Sequence, residues 1–410
     1  MKATKKEDGK TPLVPKVRFP EFREAEGWDE KELGDLCKIQ TGKKDANEGA
    51  EDGIYPFFTC AANHIYSRSY SFDAEAILVA GNANVGQTKY YYGKFEAYQR
   101  TYVLTEFLGI RVPYLYAILS ATLRESLLGQ VQVSAMSYIK LPMLLEFKLA
   151  VPPSIPEQQK IADCLSSLDE VIAAQARKLA ALKIHKQGLM QQLFPREGET
   201  QPRLRFPEFQ GNWALTSGAD ITSKITKGSS PSWQGFSYQK DGVLFITSEN
   251  VRDGFLDVSV PKFLPEEFFA KQKNSQLLYG DILINIVGAS IGRNCVFRLH
   301  QEAFTNQAVA LFRVTKGHSF EFVSYCYQHD RSQKAVSASQ SDSARPNLSL
   351  TDLRNMEFIM PSLLEQQRIA TCLTTLDDLI TAQSAKIEAL KTHKKGLMQQ
   401  LFPSPEEVGA

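Results

Sequence analysis

The chain has 410 residues, of which 43% are hydrophobic, 10% aromatic and 23% charged. At about 150 residues per domain this length predicts two or three domains, and the composition excludes a wholly disordered or fibrous protein. Lys plus Arg number 47 against 46 Asp plus Glu, so no global charge attracts nucleic acid or an anionic membrane. Because no apolar stretch approaches the roughly 20 residues that cross a bilayer and the N-terminus lacks a secretory signal, we expect a cytoplasmic protein.

An internal repeat orders the chain. Residues 153–195 align without a gap on residues 361–403, and 28 of these 43 positions are identical. A shorter repeat, R-F-P-E-F, begins at Arg18 and again at Arg205, and a tryptophan follows each copy. The layout is therefore variable block, constant block, variable block, constant block. In chain order we predict a flexible N-terminal tail (1–14), a first strand-rich domain (15–152), a first constant helix (153–195), a linker with a second strand-rich domain (196–360), a second constant helix (361–403) and a C-terminal tail (404–410).

Both variable blocks have the pattern of mixed, strand-rich domains. Short aliphatic runs bounded by glycine or polar turns predict strands at Ala76–Ala80, Tyr102–Leu104, Ile282–Ile286 and Val309–Phe312. Each block also holds one helical stretch, near residues 113–128 and near residues 319–335. The segments Gly81–Gly86 and Gly288–Gly292 lack the spacing of a phosphate-binding loop, so we interpret both as turns between strands.

Each constant block has the pattern of one helix of about 39 residues, which a proline ends. The S-x-x-E spacing of Ser154 with Glu157, and of Ser362 with Glu365, predicts a capping box, in which the glutamate accepts from the amide of the capping serine. Apolar residues then recur at spacings of four and three, which is a heptad seam, and polar residues within it fix the register. The predicted seam positions are Ile161, Leu165, Leu168, Ile172, Gln175, Leu179, Leu182, Leu189 and Leu193, and Ile369, Leu373, Leu376, Ile380, Gln383, Ile387, Leu390, Leu397 and Leu401.

The two matching seams predict that the helices pair with each other. Antiparallel pairing is preferred, because it relates the two halves by a pseudo-two-fold axis, whereas parallel pairing would bring both variable domains to the same end. The fold class predicted is therefore α+β, with two strand-rich domains separated by two long helices paired as an antiparallel coiled coil. The alternative is that each helix packs separately on its own domain.

The sequence contains no pattern typical of a catalytic or metal site. The six cysteines form no C-x-x-C pair, and the six histidines form no H-x-x-x-H pattern. We therefore predict neither catalytic residues nor metal ligands in this chain.

Polar, amide-rich loops interleaved with aromatic residues occur in the same order in both variable blocks. Arg or Lys can bind guanine edges, Asn or Gln adenine edges, and hydroxyls and lysines the phosphates. A single loop of this kind is more often a solvated surface, but matching positions in two divergent domains favour DNA binding. The candidates are Lys43, Lys44, Asn63, His64, Tyr66, Arg68, Gln87, Lys89, Tyr90, Ser134 and Ser137 in the first block, and Lys227, Ser229, Ser230, Asn250, Arg252, Arg293, Asn294, Ser339, Gln340, Arg345 and Asn347 in the second.

The constant blocks carry P-P-S-I-P-E-Q-Q-K-I-A from Pro152, then the heptads and K-Q-G-L-M-Q-Q-L-F-P, with a second copy from Pro361. This pattern resembles the conserved regions of type I restriction-modification specificity subunits. The resemblance covers nearly the whole chain, and it implies that the strand-rich domains are target-recognition domains, each of which reads one half of a bipartite DNA site. The paired helices would then be the spacer. The chain also lacks the Asp/Asn-Pro-Pro-aromatic tetrapeptide of amino-methyltransferases, so it resembles a non-catalytic subunit.

The same resemblance implies the partners. These are double-stranded DNA, two modification (methyltransferase) subunits that dock on the helices and hold S-adenosylmethionine, and restriction subunits in the full complex; this chain would bind no cofactor. The balanced charge predicts that the partners supply part of the phosphate contacts and that the chain alone binds DNA weakly. Two alternatives stay open, a coiled-coil scaffold whose variable domains bind proteins and an enzyme that acts on nucleic acid by itself.

Overall fold

The computed structural model describes residues 13–130, 138–270, 272–338 and 347–403, without the side chains of 128–130. The described residues form two compact units. Unit 1 takes the described residues up to 177 and from 385 onward, and unit 2 takes those from 178 to 384. The division falls inside the two long helices, whereas the sequence boundaries treat each helix as a segment of its own.

Unit 1 contains an antiparallel-rich sheet, a second strand pair and three shorter helices among its described residues. The strands are β1 (Asp29–Glu32), β2 (Lys38–Thr41), β3 (Tyr55–Phe58), β4 (Ile65–Ser67), β5 (Phe72–Ala80), β6 (Thr88–Ala97), β7 (Thr101–Thr105) and β8 (Lys148–Val151). The helices are α1 (Leu33–Leu36), α2 (Val112–Gln130), α3 (Leu141–Leu145) and the first part of α4 (Ile155–Leu193).

The six-stranded sheet of unit 1 has the order β2-β7-β5-β6-β3-β4, and β1 pairs with β8 apart from it. All the strand pairs are antiparallel except β3 with β6. Alternate side chains of β5 enter two different cores: Ile77 and Val79 pack with α2, whereas Ala76 and Leu78 pack with Phe95. Because side chains alternate along a strand, β5 is buried on both faces of the sheet.

Unit 2 has a similar element order with different sheets. Its strands are β9 (Ala214–Ser217), β10 (Thr222–Lys227), β11 (Val243–Ile246), β12 (Phe263–Leu264), β13 (Ile282–Asn285), β14 (Asn294–Val296), β15 (Ala303–Thr305), β16 (Val309–Val314) and β17 (Glu357–Met360). Its helices are α5 (Glu266–Ala270), α6 (Phe320–Gln328), α7 (Asp330–Ala338), α8 (Leu350–Asn355) and the first part of α9 (Leu363–Leu401).

The sheets of unit 2 have four strands (β10-β16-β13-β14), three strands (β12-β11-β15) and two strands (β17-β9). The β9–β17 pair corresponds to the β1–β8 pair of unit 1, because each joins the strand after the tryptophan to the strand before the long helix. The helical stretch predicted near 319–335 is two helices, since His329 has an extended ψ of 149° that ends α6. The predicted turns Gly81–Gly86 and Gly288–Gly292 lie between β5 and β6 and between β13 and β14, which confirms that interpretation.

Helices α4 and α9 each have 39 residues, as the sequence predicts. Every predicted seam position is buried or half-buried. The capping box is only half correct. Ser154 Oγ and Ser362 Oγ accept from the backbone amides of Glu157 and Glu365, both at 3.4 Å, but neither glutamate turns back to its cap.

The two glutamates instead anchor the short R-F-P-E-F repeat. In unit 1, Arg18 donates to both carboxylate oxygens of Glu157 at 2.7 Å, and Trp28 Nε1 donates to Oε1 at 3.2 Å. In unit 2, Arg205 and Trp213 hold Glu365 in the same way, at 2.8 and 3.3 Å. Both carboxylates are buried, with 0% and 1% of the residue exposed. A bidentate arginine with an indole N–H satisfies a charge that would otherwise be costly to bury.

The residue after each glutamate fixes the helix start to the rest of its unit. Gln158 Oε1 accepts from the backbone N–H of Arg111 at 2.8 Å, and its Nε2 donates to Pro152 O at 2.9 Å. Gln366 makes the corresponding bonds, to Ser319 N and to Pro361 O, each at 2.9 Å. The E-Q pair of both copies is therefore explained by anchoring of the helix.

Within each unit, a lysine of one long helix pairs with an aspartate of the other. In unit 2, Lys186 of α4 lies 2.6 Å from Asp377 of α9, and the Tyr325 hydroxyl donates to the same carboxylate at 2.7 Å. In unit 1, Lys394 of α9 lies 2.6 Å from Asp169 of α4. The two ion pairs occupy equivalent positions of the repeat, so each lysine has an acidic partner on the other long helix.

These pairs allow an internally controlled measurement. We expect the double-mutant cycle of Lys186→Met with Asp377→Asn to give a coupling of about 1.5 kcal/mol, because the lysine is only 15% exposed and Tyr325 orders the carboxylate. The cycle of Lys394→Met with Asp169→Asn is expected to give about 0.5 kcal/mol, because Asp169 is 54% exposed. Urea unfolding of the wild type, the four single variants and the two double variants measures both couplings, and equal values would contradict the burial argument.

Candidate nucleic-acid interface

The candidate loops of unit 1 gather where strand β2 ends. Gly42, which follows β2, donates its N–H to Thr101 O at 3.2 Å, and a Cβ added to it would lie 1.9 Å from Ala97 O. Only glycine permits this approach of two backbones. The turn between β5 and β6 lies at the same end, since Ala80 pairs with Thr101. Lys43 is therefore presented next to this turn, and its side chain is exposed.

Side-chain contacts bring the β3–β4 turn to the same place. Asn84 Nδ2 donates to Cys60 O at 2.8 Å, and Lys89 Nζ donates to Ala61 O at 2.7 Å. The Phe58 ring lies beneath, 5.8 Å from Lys89 Nζ and 5.4 Å from the His64 ring. Burial lowers the pKa of Lys89. The structure thus brings together candidates from three separate loops.

Exposure decides which of these side chains could reach a ligand directly. Asn63, His64 and Tyr66 are exposed, and Gln87 is half-buried. Lys89 retains one face toward solvent although its ammonium group is held by a carbonyl.

Three candidates of unit 1 are engaged by other protein groups. Lys44 donates to Ser67 Oγ and Ser69 Oγ at 2.9 and 2.7 Å and lies 3.4 Å from the buried carboxylate of Glu96, so we withdraw it as a base-reading residue. Arg68 forms an ion pair with Asp52 that is exposed on both sides and can exchange for a phosphate. The Tyr90 hydroxyl donates to Glu75 at 2.8 Å, and burial together with this carboxylate raises the pKa of Tyr90 to about 12.

Unit 2 repeats this geometry with different side chains. Gly228 follows β10, donates to Asn306 O at 3.1 Å, and a Cβ added to it would lie 1.5 Å from Thr305 O. The β13–β14 turn lies at the same sheet end, because β10 and β13 both pair antiparallel with β16. A backbone bridge joins Val287 to Asn347, as Asn82 is joined to Tyr138 in unit 1.

The candidates at this end are Lys227 and Asn347, which are exposed, and Arg293, which is half-buried. Arg293 lies 3.6 Å from Asp253, and Arg252 lies 3.4 Å from Asp257. Both ion pairs are solvent-exposed, so neither prevents the arginine from contacting a phosphate.

Two asparagines are corrections. Asn250 is 6% exposed, and its side chain closes a turn by accepting from Thr247 N at 2.8 Å and donating to Asp257 O at 2.8 Å. Asn294 is 1% exposed and accepts from Ser324 Oγ at 2.8 Å. Because neither amide is available to a base, we withdraw both.

Two candidate serines already form side-chain hydrogen bonds within the protein. Ser229 Oγ donates to Gln272 Oε1 at 2.8 Å, and Ser230 Oγ lies 3.0 Å from Ser232 Oγ. Ser230 is buried, so only Ser229 keeps a surface for a ligand. The candidates Ser134, Ser137, Ser339, Gln340 and Arg345 lie outside the described residues.

Sequence reasoning missed the most exposed aromatic side chains. Trp233 is 89% exposed and Tyr92 is 75% exposed. The available signal for Trp233 was its position in a polar run of serine, glutamine and glycine, between Ser232 and Gln234.

The described ranges contain no three His, Cys, Asp or Glu side chains placed to hold a metal ion. No helix in the part of the chain that the structure describes has both the length and the apolar character needed to span a membrane. Each unit therefore presents a polar, aromatic-bearing sheet end.

Comparison with protein families gives a match across both halves of the chain. A family described as the type I restriction modification DNA specificity domain matches residues 25–183 and 223–392. The EcoDI specificity subunit of Escherichia coli is 41% identical over 141 residues, which cover 34% of this chain and 31% of that protein. The MjaVIII specificity subunit of Methanocaldococcus jannaschii is 25% identical over 403 residues, 93% of each chain.

Solved structures share the fold. The type I restriction-modification S subunit from M. genitalium aligns with a TM-score of 0.64 at 15% identity, covering 96% of this chain and all of that one. A chain from a study of complex assembly and conformational transition of the type I R-M system aligns at 0.55 and 15% identity, covering 92% and 97%. The relatives are named as specificity subunits, which agrees with our expectation that this chain is not itself the catalytic component.

Proposed function

The chain belongs to the family of type I restriction-modification specificity subunits, whose general role is recognition of DNA sequence, and we infer from this that each unit reads one half of a bipartite site. The exposed side chains at the two sheet ends would contact base edges and phosphates. Base edges in the major groove distinguish all four base pairs, whereas phosphate contacts position the protein.

The proposal rests on one observation. The two units present the same backbone framework with different side chains. Gly42 and Gly228 make equivalent close approaches, and the bridges Asn82–Tyr138 and Val287–Asn347 lie beside equivalent turns. The residue after the glycine is a lysine in unit 1 and a serine in unit 2. A shared framework with different chemistry suits two half-sites of different sequence.

We propose further that α4 and α9 pair as an antiparallel coiled coil and act as the spacer between the half-sites. The two equivalent Lys–Asp pairs support this arrangement, because in each unit the early part of one helix contacts the late part of the other. The burial of the predicted seam supports it as well.

In this proposal catalysis comes from partners. Two modification subunits would dock on the helices and adjoining surfaces and hold S-adenosylmethionine, and restriction subunits would complete the complex. Because the net charge of this chain is only +1, we expect the partners to supply part of the phosphate contacts. A target base would have to leave the duplex to be methylated. A role on cellular DNA would place the chain in the cytoplasm, which stays a prediction.

The proposal is tested by exchanging one half. Replacing residues 28–150 by the corresponding segment of another family member is expected to change one half of the methylated sequence and leave the other half and the spacer unchanged. The matched control exchanges residues 213–358 and should change only the other half. Single-molecule sequencing of adenine methylation, in cells carrying the chain with its partner subunits, measures both.

Two outcomes would contradict the proposal. A single exchange that alters both half-sites would reject independent reading by each unit. If the assembled complex bound unrelated duplexes without preference, the scaffold function would be favoured, because the variable domains would then bind proteins rather than DNA. Methyl transfer by the purified chain alone would instead establish an enzyme.

A further inference from the structure

We propose that Trp233 is a DNA-stacking residue of unit 2, which packs its indole against the bases of the half-site. The inference rests on the proposed function and adds a specific contact to it. Trp233 has the largest exposed fraction, 89%, among the large hydrophobic side chains that the structure describes. Tryptophan is normally well buried or at an interface, so this exposure calls for a partner.

The turn that carries Trp233 is well anchored. Gln234 N and Phe236 N both donate to Pro231 O at 3.0 Å, which closes a 3₁₀ turn from Ser232 to Gln234. Pro231, which precedes the turn, is buried. Phe236, which follows it, packs its ring edge-on against Phe268, with centroids 5.3 Å apart. The indole is thus presented to solvent from a preorganised backbone turn, which lowers the backbone entropy lost on binding.

The turn follows the candidate interface closely in the sequence. Trp233 lies five residues after Gly228, whose contact with Thr305 fixes where the chain leaves β10. Lys227, Arg293 and Asn347 lie at this same end of the four-stranded sheet. Five residues span at most about 18 Å, so a ligand of the size of a DNA half-site that contacts these polar side chains can also reach the indole.

Charge and composition favour nucleic acid as the ligand. Residues 227–240 include Lys227 and Lys240, contain no Asp or Glu, and are rich in serine and glutamine. Lysines and hydroxyls suit phosphates and glutamine suits base edges, whereas an aromatic face stacks on any base. Apolar side chains that enter a base step also kink DNA, which gives specificity without hydrogen bonds to the bases.

The three tryptophans allow a direct test. Trp28 and Trp213 are buried, with 2% and 4% exposed, so within this chain a change in indole emission on DNA binding should come from Trp233. The difference between the wild-type and Trp233→Phe complexes removes the emission of the partner subunits. The probe is a fluorescein-labelled duplex carrying the site that the wild-type complex methylates. We expect the full complex with Trp233→Ala to bind this duplex about 5- to 100-fold more weakly. Trp233→Phe, which keeps an aromatic face, should stay within about threefold of wild type.

Leu278→Ala is the matched control, because Leu278 is 51% exposed but precedes β13, at the opposite end of the same sheet. It should leave both affinity and emission unchanged. The difference in emission between the wild-type and Trp233→Phe complexes should fall when the duplex is added, and thermal unfolding checks that each variant is folded.

The outcomes separate this inference from the proposed function. If the wild-type complex shows no site preference, the proposed function fails. If it binds its site with preference, but Trp233→Ala binds equally well and the emission of Trp233 does not respond to DNA, the stacking inference is overturned. An emission change on adding the modification subunits, with none on adding DNA, would also overturn it and assign the indole to a protein contact.

Discussion

Replacing Glu157 by alanine is expected to lower the free energy of unfolding of unit 1 by about 3–5 kcal/mol, because it leaves a buried guanidinium without its anion. The Arg18 side chain is only 7% exposed, and it donates two hydrogen bonds to the carboxylate of Glu157. The indole N–H of Trp28 also loses its acceptor. Urea unfolding followed by tryptophan emission measures the change.

Three comparisons sharpen this experiment. Glu365→Ala should have a similar effect on unit 2, because Arg205 and Trp213 hold Glu365 in the same geometry. Glu21→Ala removes an exposed partner of Lys160 and should have no measurable effect. Replacing both Arg18 and Glu157 by methionine should recover much of the stability, since no unpaired charge is left. A Glu157→Ala protein as stable as wild type would show that the contacts of Glu157 with Arg18 and Trp28 do not stabilise unit 1.

Lengthening both long helices by one heptad is expected to lengthen the DNA spacer while leaving both half-sites unchanged. The insertions go after Arg177 and after Ala385, which are equivalent positions of the repeat. Seven residues preserve the seam and add about 10.5 Å of helix. At about 3.4 Å per base pair this corresponds to about three base pairs. Sequencing of adenine methylation gives the spacer directly.

A four-residue insertion in α4 alone provides the contrast. It shifts the heptad phase of one seam against the other and should change the accepted spacer or abolish methylation. An unchanged recognition sequence after either insertion would contradict the spacer proposal. The half-sites serve as the internal control, because neither insertion touches a candidate reading loop.

The helices were predictable because their signals are local. A capping serine, a heptad pattern and a terminal proline lie within one stretch of sequence, and α4 and α9 begin and end within two residues of the predicted bounds. The partner of Glu157 was not predictable from the S-x-x-E spacing. Its arginine lies 139 residues away, and a distant guanidinium outweighs the local cap amide because it offers two charge-assisted bonds.

The loops show the opposite limit. Their positions could be inferred from the parallel order of the two variable blocks, but burial could not, because an asparagine in a polar run closes a turn as readily as it contacts a ligand. Composition made Asn250 and Asn294 candidates, and their burial in the structure rules out a direct base contact. Trp233 shows the reverse, because it is a large apolar side chain that is exposed to solvent.

The composition of unit 1 has a consequence for synthesis on the ribosome. Leu401 and Phe402 belong to the core that also contains Trp28 and Leu33, and the Phe402 ring lies 5.9 Å from that of Tyr114. Translation must therefore reach the end of α9 before the first unit has all of its core residues, whereas unit 2 is continuous in sequence. Nascent chains commonly complete their N-terminal domain first. In this protein the middle of the chain would finish folding before the beginning.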